Sequence, residues 1–403
     1  MKAEAPGLPI LVLNCGSSSI KFALFDAAVS PLPRRPAWSG KVDGIAGADA
    51  SYEATGVAPE PLVLHGGRPY HAALEQIRIR ASARLEGRPL AGVVHRVVHG
   101  GAKYRLPVRV DAAVLEDLKS YIPLAPLHQP FALEAIEAMH RAVPGIAQVA
   151  CFDTAFHHTM PQVEKMLPLP YSAWERGVRR YGFHGLSYEY QSIVLAERYA
   201  KPASGRCIVA HLGSGASLCA MHNLQAVATT MGFSALDGLM MGTRCGSLDP
   251  GALIYLMQIE RLTLEEVARV LYHESGLLGV SGVSADPRVL IAREADDERV
   301  QVALALYVRR IVREIGALTA ALGGLDLLVF TAGIGENNPV IRERVCAGLE
   351  FLGVRLDAAA NHAEQADGGR RISAREATVL VAVEPTNEEW IAAVHCIDQL
   401  NQG

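Results

Sequence analysis

The chain has 403 residues, of which 50% are hydrophobic and 20% charged, and its 38 basic and 42 acidic side chains give a formal net charge of −4. This balance excludes the strongly basic field that nucleic acid or an anionic membrane surface would require. At about 150 residues per domain, the length predicts two domains, and small molecules are the favoured ligands.

Seven scattered cysteines, none in a Cys-x-x-Cys pair, favour reduced thiols in a cytoplasmic protein over a disulfide framework or a zinc knuckle. The N-terminus carries Lys2, Glu4, Pro6 and Pro9 before any apolar run, which is not typical of a signal peptide. A stretch without acidic or basic residues, 207–236, is interrupted by glycines and polar side chains. The sequence therefore predicts no membrane-spanning helix.

Two similar strand–turn–strand units stand near the start of each half of the chain. The first joins residues 8–14 to residues 20–26 through a turn of glycine and serines. The second joins 207–210 to 218–221 through the glycine-serine turn 211–217. This repetition predicts two related α/β domains with a cleft between them.

A third glycine turn, 332–338, follows the apolar strand 327–331, and Pro339 suits the first turn of a following helix. Strand, glycine turn and helix in this order are typical of nucleotide or anion sites. Two further helices are predicted, one from Pro130 through Met139 and one before the third turn. The latter is a core helix, because apolar residues recur in steps of four and three until Gly323: Leu304, Val308, Ile311, Ile315, Leu318 and Leu322.

The three glycine turns can expose backbone N–H groups and hydroxyls to phosphate oxygens, although each alone could be a structural turn. None fits a P-loop or a dinucleotide-binding motif. Arg96 and Arg244 lie in apolar segments and cannot lose their charge, so they require an anionic ligand or a salt bridge. Histidines in apolar segments are more often hydrogen-bonded core residues, which is the favoured interpretation of His95, His99, His157 and His158.

Several of the acidic and histidine side chains could bind a metal ion. Asp153 and His157 have helical i, i+4 spacing, but without a nearby third ligand a catalytic zinc is disfavoured. Asp153 together with Glu388 or Glu389 suits magnesium, which binds through one or two carboxylates and substrate phosphates. The two glutamates also suit the first turn of a helix, and both interpretations stay open.

Eight sequence blocks, taken in order, resemble those of the acetokinase family over nearly the whole chain: 13–21, 95–101, 124–128, 152–157, 180–185, 242–244, 333–337 and 386–389. The resemblance implies two related ribonuclease H-like, or actin-like ATPase, domains with mixed five-stranded sheets and an interdomain cleft. The expected domains are 1–153 with 388–403 and 154–387. It also implies reversible phosphoryl transfer from ATP to acetate, Mg²⁺ or alternatively Mn²⁺, and a homodimer.

The resemblance assigns roles by motif position. It implies as catalytic residues Arg96, Asp153, His184 and Arg244. Contacts to the acyl substrate are expected from Arg96, Val98, Leu127 and Ala235. The nucleotide is expected to meet Ser17, Ser19, Lys21, His128, His211, Gly213, Ser214, Gly215, Asp286, Arg288, Gly333, Ile334, Gly335 and Asn337. The metal is expected at Asn14 and Glu388.

The chain departs from the family pattern at four positions. Ser214 replaces an asparagine, Pro287 a phenylalanine, Leu186 a threonine and Ala235 a proline. The change at Ala235 could widen the acyl pocket, so propionate stays open as a second substrate, because one methylene is worth only about 1–3 kcal/mol.

Other activities of the same fold remain alternatives. They are a propionate or butyrate kinase, a nucleotide-switch ATPase that binds protein partners, and a phosphate-ester or polyphosphate hydrolase. Two arginines suited to a carboxylate argue against the switch, which needs no such clamp.

Overall fold

The computed structural model describes residues 9–16, 18–45, 47, 49–64, 67–126, 128–364 and 368–402. The chain divides into two compact units, one formed by residues 1–155 with 387–403 and the other by residues 156–386. The sequence predicts domains at 1–153 with 388–403 and at 154–387. These refer to independently folding domains, and their boundaries stay a prediction.

The elements of the first segment, up to residue 155, are strands β1 (Pro9–Cys15), β2 (Ile20–Asp26), β3 (Trp38–Asp43), β4 (Ser51–Ala54), β5 (Val57–Pro61), β6 (Gly92–Val97), β7 (Val108–Arg109) and β8 (Gln148–Phe152), with helices α1 (Pro69–Leu85), α2 (Ala112–Ser120) and α3 (Gln129–Ala142). Short 3₁₀ helices lie at Ile122–Leu124, Ala155–Thr159 and Glu350–Leu352.

The second segment contains helices α4 (Gln162–Lys165), α5 (Tyr171–Glu175), α6 (Gly185–Ser204), α7 (Pro250–Gln258), α8 (Leu264–His273), α9 (Gly276–Ser281), α10 (Pro287–Ile291), α11 (Glu298–Leu322), α12 (Ala332–Asn337), α13 (Pro339–Ala347) and α14 (Ala358–His362). Its strands are β9 (Arg206–Leu212), β10 (Ala216–His222), β11 (Gln225–Thr229), β12 (Leu327–Thr331), β13 (Arg370–Arg371) and β14 (Leu380–Val383). The last helix is α15 (Glu388–Asn401).

The two sheets share one topology. In the first, β3, β2 and β1 pair antiparallel, and β6 and β8 continue from β1 in parallel. In the second, β11, β10 and β9 repeat the antiparallel part, and β12 and β14 continue in parallel. This repeated core confirms the predicted pair of related α/β folds and both predicted strand–turn–strand units.

The predicted strand count was wrong. The first sheet has eight strands because β4, β5 and β7 extend the five-stranded core, and the second has six because β13 pairs with β14. The added strands extend the sheets beyond this core and have two to five residues. Such short segments carry too little alternation of apolar and polar residues to be recognised in the sequence.

Helices cover the sheets on both faces, so their central strands are almost wholly apolar. In the first unit, α1 and α3 pack in one core with Leu11 and Leu13 of β1. Gly92 belongs to the opposite face, where a Cβ would lie 3.1 Å from the Cys396 Sγ of α15. The C-terminal helix α15 therefore packs against the start of β6, where Gly92 has no side chain.

In the second unit, the predicted core helix is α11, which the Asp297 side chain caps at its start and Gly323 ends in the left-handed conformation. Buried side chains on α11 include Leu304, Ile311 and Ile315, as the spacing predicts. Within the part of the chain that the structure describes, no helix combines the length and the hydropathy needed to span a bilayer.

Histidine burial partly follows the sequence prediction. His95, His99 and His157 are buried, and His95 Nε2 lies 2.7 Å from Gln148 Oε1. Burial lowers the pKa of His95 and that of His99 to about 4, so both are neutral near pH 7. The prediction for His158 was wrong: its side chain is exposed, because it sits on the outer side of a 3₁₀ turn.

We expect acid to destabilise the protein through His95 and His99. The unfolded chain binds these protons below about pH 6.5 while the folded chain stays neutral down to about pH 4, so stability falls with pH across that window. The loss should be on the order of 3 kcal/mol for each histidine. Urea unfolding at several pH values should show a weaker pH dependence for His95→Gln. The exposed-site control His140→Gln should match the wild type, and an unchanged slope in His95→Gln would contradict the assignment.

Candidate active site

A cluster of charged and amide side chains gathers at the carboxyl ends of β1, β6 and β8. Arg96 donates from Nε and Nη2 to the two Asp153 carboxylate oxygens, at 2.7 and 2.6 Å. Its Nη1 donates to Asn14 Oδ1 at 3.1 Å and lies 3.2 Å from Glu388 Oε2. Parallel pairing places Asn14 beside Arg96, and the start of α15 supplies Glu388, so three other sequence-predicted residues meet on one guanidinium.

The cluster combines one arginine with two carboxylates. Burial opposes the charge of Arg96, but the nearby carboxylates of Asp153 and Glu388 outweigh it and raise the arginine pKa. The Asp153 side chain is 2% exposed and that of Glu388 11%. In the segments that the structure describes, two carboxylates contact this one cation, and the neutral oxygen of Asn14 adds a third oxygen donor. Such a site attracts a further cation with a preference for oxygen ligands.

The charged side chains fit magnesium better than zinc. Among the described residues, no three histidine, cysteine, aspartate or glutamate side chains form a group able to hold a metal by themselves. Magnesium keeps several waters and substrate phosphates as ligands, so two carboxylates and an amide suffice for it. The donor set of Asn14, Asp153 and Glu388 therefore fits the metal that the sequence resemblance implies.

A second cluster lies at the turn between β9 and β10, in the other unit. The rings of His184 and His211 stack with centroids 4.1 Å apart and planes inclined by 15°. A Cβ on Gly215 would lie 3.3 Å from His184 Nε2 and 3.6 Å from Arg244 Nη1. A side chain at this position would crowd the His184 nitrogen and touch that of Arg244, so the turn brings together three residues predicted from separate motifs.

Arg244 is a largely enclosed cation with unusual partners. Its Nη1 donates to the Ala235 carbonyl oxygen at 3.0 Å and lies 3.7 Å from the Met241 sulfur. Over the described ranges, no carboxylate forms a salt bridge with it, and burial lowers its pKa. A guanidinium enclosed without a protein anion is suited to an anionic ligand, which contrasts with the ion-paired Arg96.

Backbone strain marks the same region. His184 begins α6 with a φ of 58°, and Ala332 begins α12 with a φ of 65°. Residues other than glycine rarely adopt this left-handed conformation, and it clusters at functional sites. The segment 332–338, predicted as a turn, is instead the short helix α12. Its N-terminal Ala332 N–H donates to Glu336 Oε1 at 2.8 Å.

A cavity of about 460 Å³ opens between three loops of the second unit. Seven sequence-predicted nucleotide residues line it, together with Ala285, Pro287 and Asn338: Gly213, Ser214, Asp286, Arg288, Gly333, Ile334 and Asn337. Gly335 does not line it. A Cβ there would meet the Phe330 backbone at 3.4 Å and the Ala210 carbonyl at 3.5 Å, so Gly335 serves helix–strand packing.

Asp286 and Arg288 face one another at the rim of this cavity. Arg288 Nη2 donates to Asp286 Oδ2 at 2.6 Å, and the Arg288 backbone N–H donates to Asp286 Oδ1 at 2.8 Å. The Arg288 side chain lowers the pKa of the Asp286 carboxyl. The carboxylate thus both caps α10 and orients an arginine that is 78% exposed and available to a ligand.

The remaining predicted residues are more dispersed. Lys21 lies opposite Asn14 in the β1–β2 pair, with its side chain exposed, and Ser19 precedes this strand. Val98 is buried just after β6, and His128 immediately precedes α3. Ser17 and Leu127 lie outside the described residues.

Several supporting residues were not predicted. Ser217 and Ser187 contact the two stacked histidines, with Oγ to Nδ1 distances of 2.8 Å to His184 and 2.9 Å to His211. Arg180 donates from Nη1 to three successive carbonyl oxygens, of residues 229–231, at 3.0–3.1 Å. Arg180 is the first residue of the block 180–185 and Ser217 the last of the turn 211–217, so their membership of these motifs was the available signal.

Comparison with known proteins identifies close relatives. The sequence profile described as the acetokinase family matches residues 9–394. Acetate kinase of Rhodopseudomonas palustris is 46% identical over 395 residues, which is 96% of this chain and 97% of that protein. Acetate kinase of Methylocella silvestris is 45% identical over 410 residues, 98% of each chain.

Comparison with solved structures also finds acetate and propionate kinases. Porphyromonas gingivalis acetate kinase superposes with a TM-score of 0.84 at 36% identity, over 98% of this chain and 100% of that one. A propionate kinase from Francisella tularensis superposes with a TM-score of 0.87 at 33% identity, over 96% and 98% of the two chains. The actin-like ATPase fold class expected from the sequence is thereby confirmed.

We expect Arg96 to stabilise the first unit as well as its site. Arg96→Leu removes the cation that faces Asp153 and Glu388, so the free energy of unfolding should fall by about 3–5 kcal/mol in urea titrations near neutral pH. The matched control is Arg344→Leu, which breaks a bidentate pair with Glu294 whose side chains are 35% and 26% exposed. That loss should be about 1 kcal/mol or less. Equal losses in both variants would show that the Arg96 cluster contributes no special stability.

Proposed function

This chain belongs to the acetokinase family, and on that premise we propose that it is an acetate kinase, a phosphotransferase with a carboxyl group as acceptor. It transfers the γ-phosphoryl group of ATP reversibly to acetate and yields acetyl phosphate and ADP. The observation that carries this proposal is the enclosed guanidinium of Arg244, which has no salt-bridged carboxylate in the described chain and lies next to Gly215 and His184.

The chemistry requires charge control more than proton transfer. Acetate is already ionised near neutral pH, so its oxygen needs no general base. The barrier comes from bringing one anion up to another, and it falls when cations and N–H donors spread the charge of the transferring group. We propose direct in-line transfer with four catalytic residues: Arg96, Asp153, His184 and Arg244.

The two arginines have different tasks. Arg244 is available to an anion, and we propose that it contacts the transferring phosphoryl group and the acetate carboxylate. Arg96 is already bound to Asp153, Asn14 and Glu388, so its main contribution is to hold these three oxygen-bearing side chains in one place. The Arg96 side chain is 20% exposed. Acetate would contact Arg96 through this exposed part.

We propose Mg²⁺, with Mn²⁺ as a substitute, as the metal at Asn14 and Glu388, with Asp153 beside them. The two carboxylates of this cluster and its oxygen-only donors support the assignment. A bound magnesium ion would neutralise part of the charge on the ATP phosphates. The protein residues fix the donors: β1 positions Asn14, and the N-terminus of α15 positions Glu388, whose helix is capped by the Asn387 side chain.

For the nucleotide, we propose that the adenosine part of ATP occupies the cavity of about 460 Å³. Asp286, Arg288, Gly333, Ile334 and Asn337 would surround adenosine. Ser214, which also lines the cavity, replaces the longer asparagine of the family. The phosphates would meet the two glycine turns and their basic neighbours: Ser17, Ser19, Lys21, His128, His211, Gly213, Ser214 and Gly215.

For the acyl group, we propose contacts from Val98, Leu127 and Ala235. The Ala235 carbonyl accepts from Arg244, so this residue fixes the guanidinium as well as the pocket wall. Its small side chain leaves more room than the proline usual in the family, which supports propionate as a weaker second substrate. The structural similarity to a propionate kinase is a further reason to test that acid.

The decisive test is acyl phosphate formation, trapped with hydroxylamine, with ATP, Mg²⁺ and acetate, propionate, butyrate or no acid. We expect the highest rate with acetate, and a loss of about 10- to 100-fold for one added methylene. Arg244→Leu should lower the acetate rate by about 10²- to 10³-fold. It should leave the free energy of unfolding equal or higher, because a buried charge without a salt bridge is removed.

The surface variant Arg344→Leu controls for loss of an arginine elsewhere and should keep full activity. If ATP is hydrolysed equally well without any carboxylic acid and Arg244→Leu is unaffected, the chain is a nucleotide-switch ATPase. A higher rate with propionate than with acetate would assign it as a propionate kinase.

We also propose a cytoplasmic homodimer, as the family resemblance implies. The surface most suited to a second copy of this chain comprises residues 248–264, here called the apolar surface. Helix α7 has no buried residue, and the large apolar side chains of this surface are 40–65% exposed: Leu248, Ile254, Tyr255, Met257, Ile259 and Leu264. Contiguous exposure of this kind marks association sites.

We expect light scattering after size-exclusion chromatography to give twice the mass of one chain. The double variant Ile254→Arg/Ile259→Arg should shift this to the mass of one chain, because two buried charges at each copy oppose association. The control Phe351→Arg alters a side chain that is 77% exposed outside the apolar surface and should stay dimeric. A dimer that survives the double variant would place the interface elsewhere.

A further inference from the structure

Two buried serines hold the two histidines beside the glycine turn. Ser217 Oγ lies 2.8 Å from His184 Nδ1, and Ser187 Oγ lies 2.9 Å from His211 Nδ1. Both serines are fully buried. Each imidazole is therefore contacted by a hydroxyl at Nδ1, while the Nε2 of His184 lies beside Gly215.

Each serine is contacted in turn by a second hydroxyl. Thr386 Oγ1 donates to Ser187 Oγ at 2.8 Å, and Tyr188 Oη lies 2.5 Å from Ser217 Oγ. A serine hydroxyl has one proton, so a serine that accepts from a neighbour can direct its own proton to a histidine nitrogen. A phenol is a stronger acid than an aliphatic alcohol, which favours Tyr188 as the donor to Ser217.

We propose that Tyr188–Ser217–His184 and Thr386–Ser187–His211 are two hydroxyl relays that hold both imidazoles in the neutral form protonated on Nε2. In each relay, the serine proton occupies the lone pair of Nδ1. The ring proton is then confined to Nε2, which in His184 faces the turn that also receives Arg244. Ser217, Ser187, Tyr188 and Thr386 are positioning residues in this arrangement.

The stacked geometry gives a reason for neutral donors. The His184 and His211 centroids are 4.1 Å apart, and two imidazolium charges at that separation would repel each other strongly. Arg244, beside Gly215, adds a positive charge on the same side. Tyr188 also faces His211, with ring centroids 6.3 Å apart, and His157 contacts the Tyr188 ring at 5.6 Å. Fixed tautomers supply two N–H donors without a further charge.

The consequence for catalysis rests on the proposed function. A phosphoryl oxygen accepts hydrogen bonds, so Nε2–H of His184 stabilises it. With the proton on Nδ1, the ring would present a lone pair to that oxygen and repel it. The relay on Ser217 therefore decides whether His184 attracts or repels the transferring group when it is neutral.

The direct test is the tautomer, measured by long-range ¹H–¹⁵N correlation on ¹⁵N-histidine-labelled protein, with resonances assigned by their loss in His184→Gln and His211→Gln. We expect both histidines to be Nε2-protonated in the wild type. Ser217→Ala should shift His184 toward Nδ1 protonation, and Ser187→Ala should do the same for His211. Nδ1 protonation in the wild type, or an unchanged pattern in both variants, would overturn the proposal.

Matched controls exclude a general packing effect. Ser281→Ala removes a buried hydroxyl that donates to the Leu277 carbonyl in α9. Tyr307→Phe removes the hydroxyl of a buried tyrosine in α11 and is the control for Tyr188→Phe. Neither control should alter the histidine signals, whereas Tyr188→Phe should weaken the Nε2 preference of His184.

A kinetic test uses the pH dependence of acetyl phosphate formation. In the wild type, Nε2 of His184 carries a proton in both the neutral and the charged ring, so its titration should have little effect on the rate. In Ser217→Ala, only the charged ring is certain to donate from Nε2. Near neutral pH the Ser217→Ala rate should therefore fall by about tenfold relative to the wild type, and it should recover toward acidic pH as the ring becomes charged. Ser281→Ala should show neither change.

The two tests separate the possible failures. Correct tautomers in a protein that forms no acetyl phosphate would refute the proposed function and leave the relays standing. An active enzyme whose Ser217→Ala variant keeps both the wild-type tautomer and the wild-type pH profile would refute the relays alone.

Discussion

The ion pair of Arg96 is the interaction on which the first unit and its site depend. One guanidinium connects the ends of three parallel strands and the start of α15 through Asn14, Asp153 and Glu388. Because the acidic groups are largely buried, each needs this cation to remain charged within the fold. The same contacts fix the oxygen donors proposed for magnesium, so stability and site geometry follow from a single residue.

In the second unit, the equivalent position of the sheet carries different side chains. Asn14 pairs with Arg96 in the first sheet, and His211 pairs with Thr331 at the matching place in the second. There, neutral hydroxyls replace the ion pairs and hold the histidines. The positive charge comes instead from Arg244, which the protein encloses without a salt bridge from the described residues. The enclosed cation and the left-handed backbone of His184 both lower the free energy of unfolding. This is usual for a site that is preorganised to bind an anion.

Much of the fold could be predicted because its signals are local. The paired strands β1–β2 and β9–β10 and the helix α11 follow from apolar periodicity and glycine positions within short windows. The edge strands β4, β5, β7 and β13 could not be predicted, since two to five residues give no clear period. The glycines after an apolar strand predict a turn at 332–338, as in the two other glycine turns, but the Glu336 carboxylate accepts from the Ala332 N–H in the short helix that forms there.

The sequence by itself determined the fold class, the family and the side chains available for chemistry, because motifs and periodicity are properties of neighbouring residues. Only the tertiary structure decided what each side chain does. Arg96 and Arg244 look alike in sequence, but the first meets two carboxylates and the second is left for an anion. Likewise, Ser187 and Ser217 became candidates only once the sheet and α6 placed them against the histidines. Partners so distant along the chain are chosen by strand pairing and helix packing, which no local pattern records.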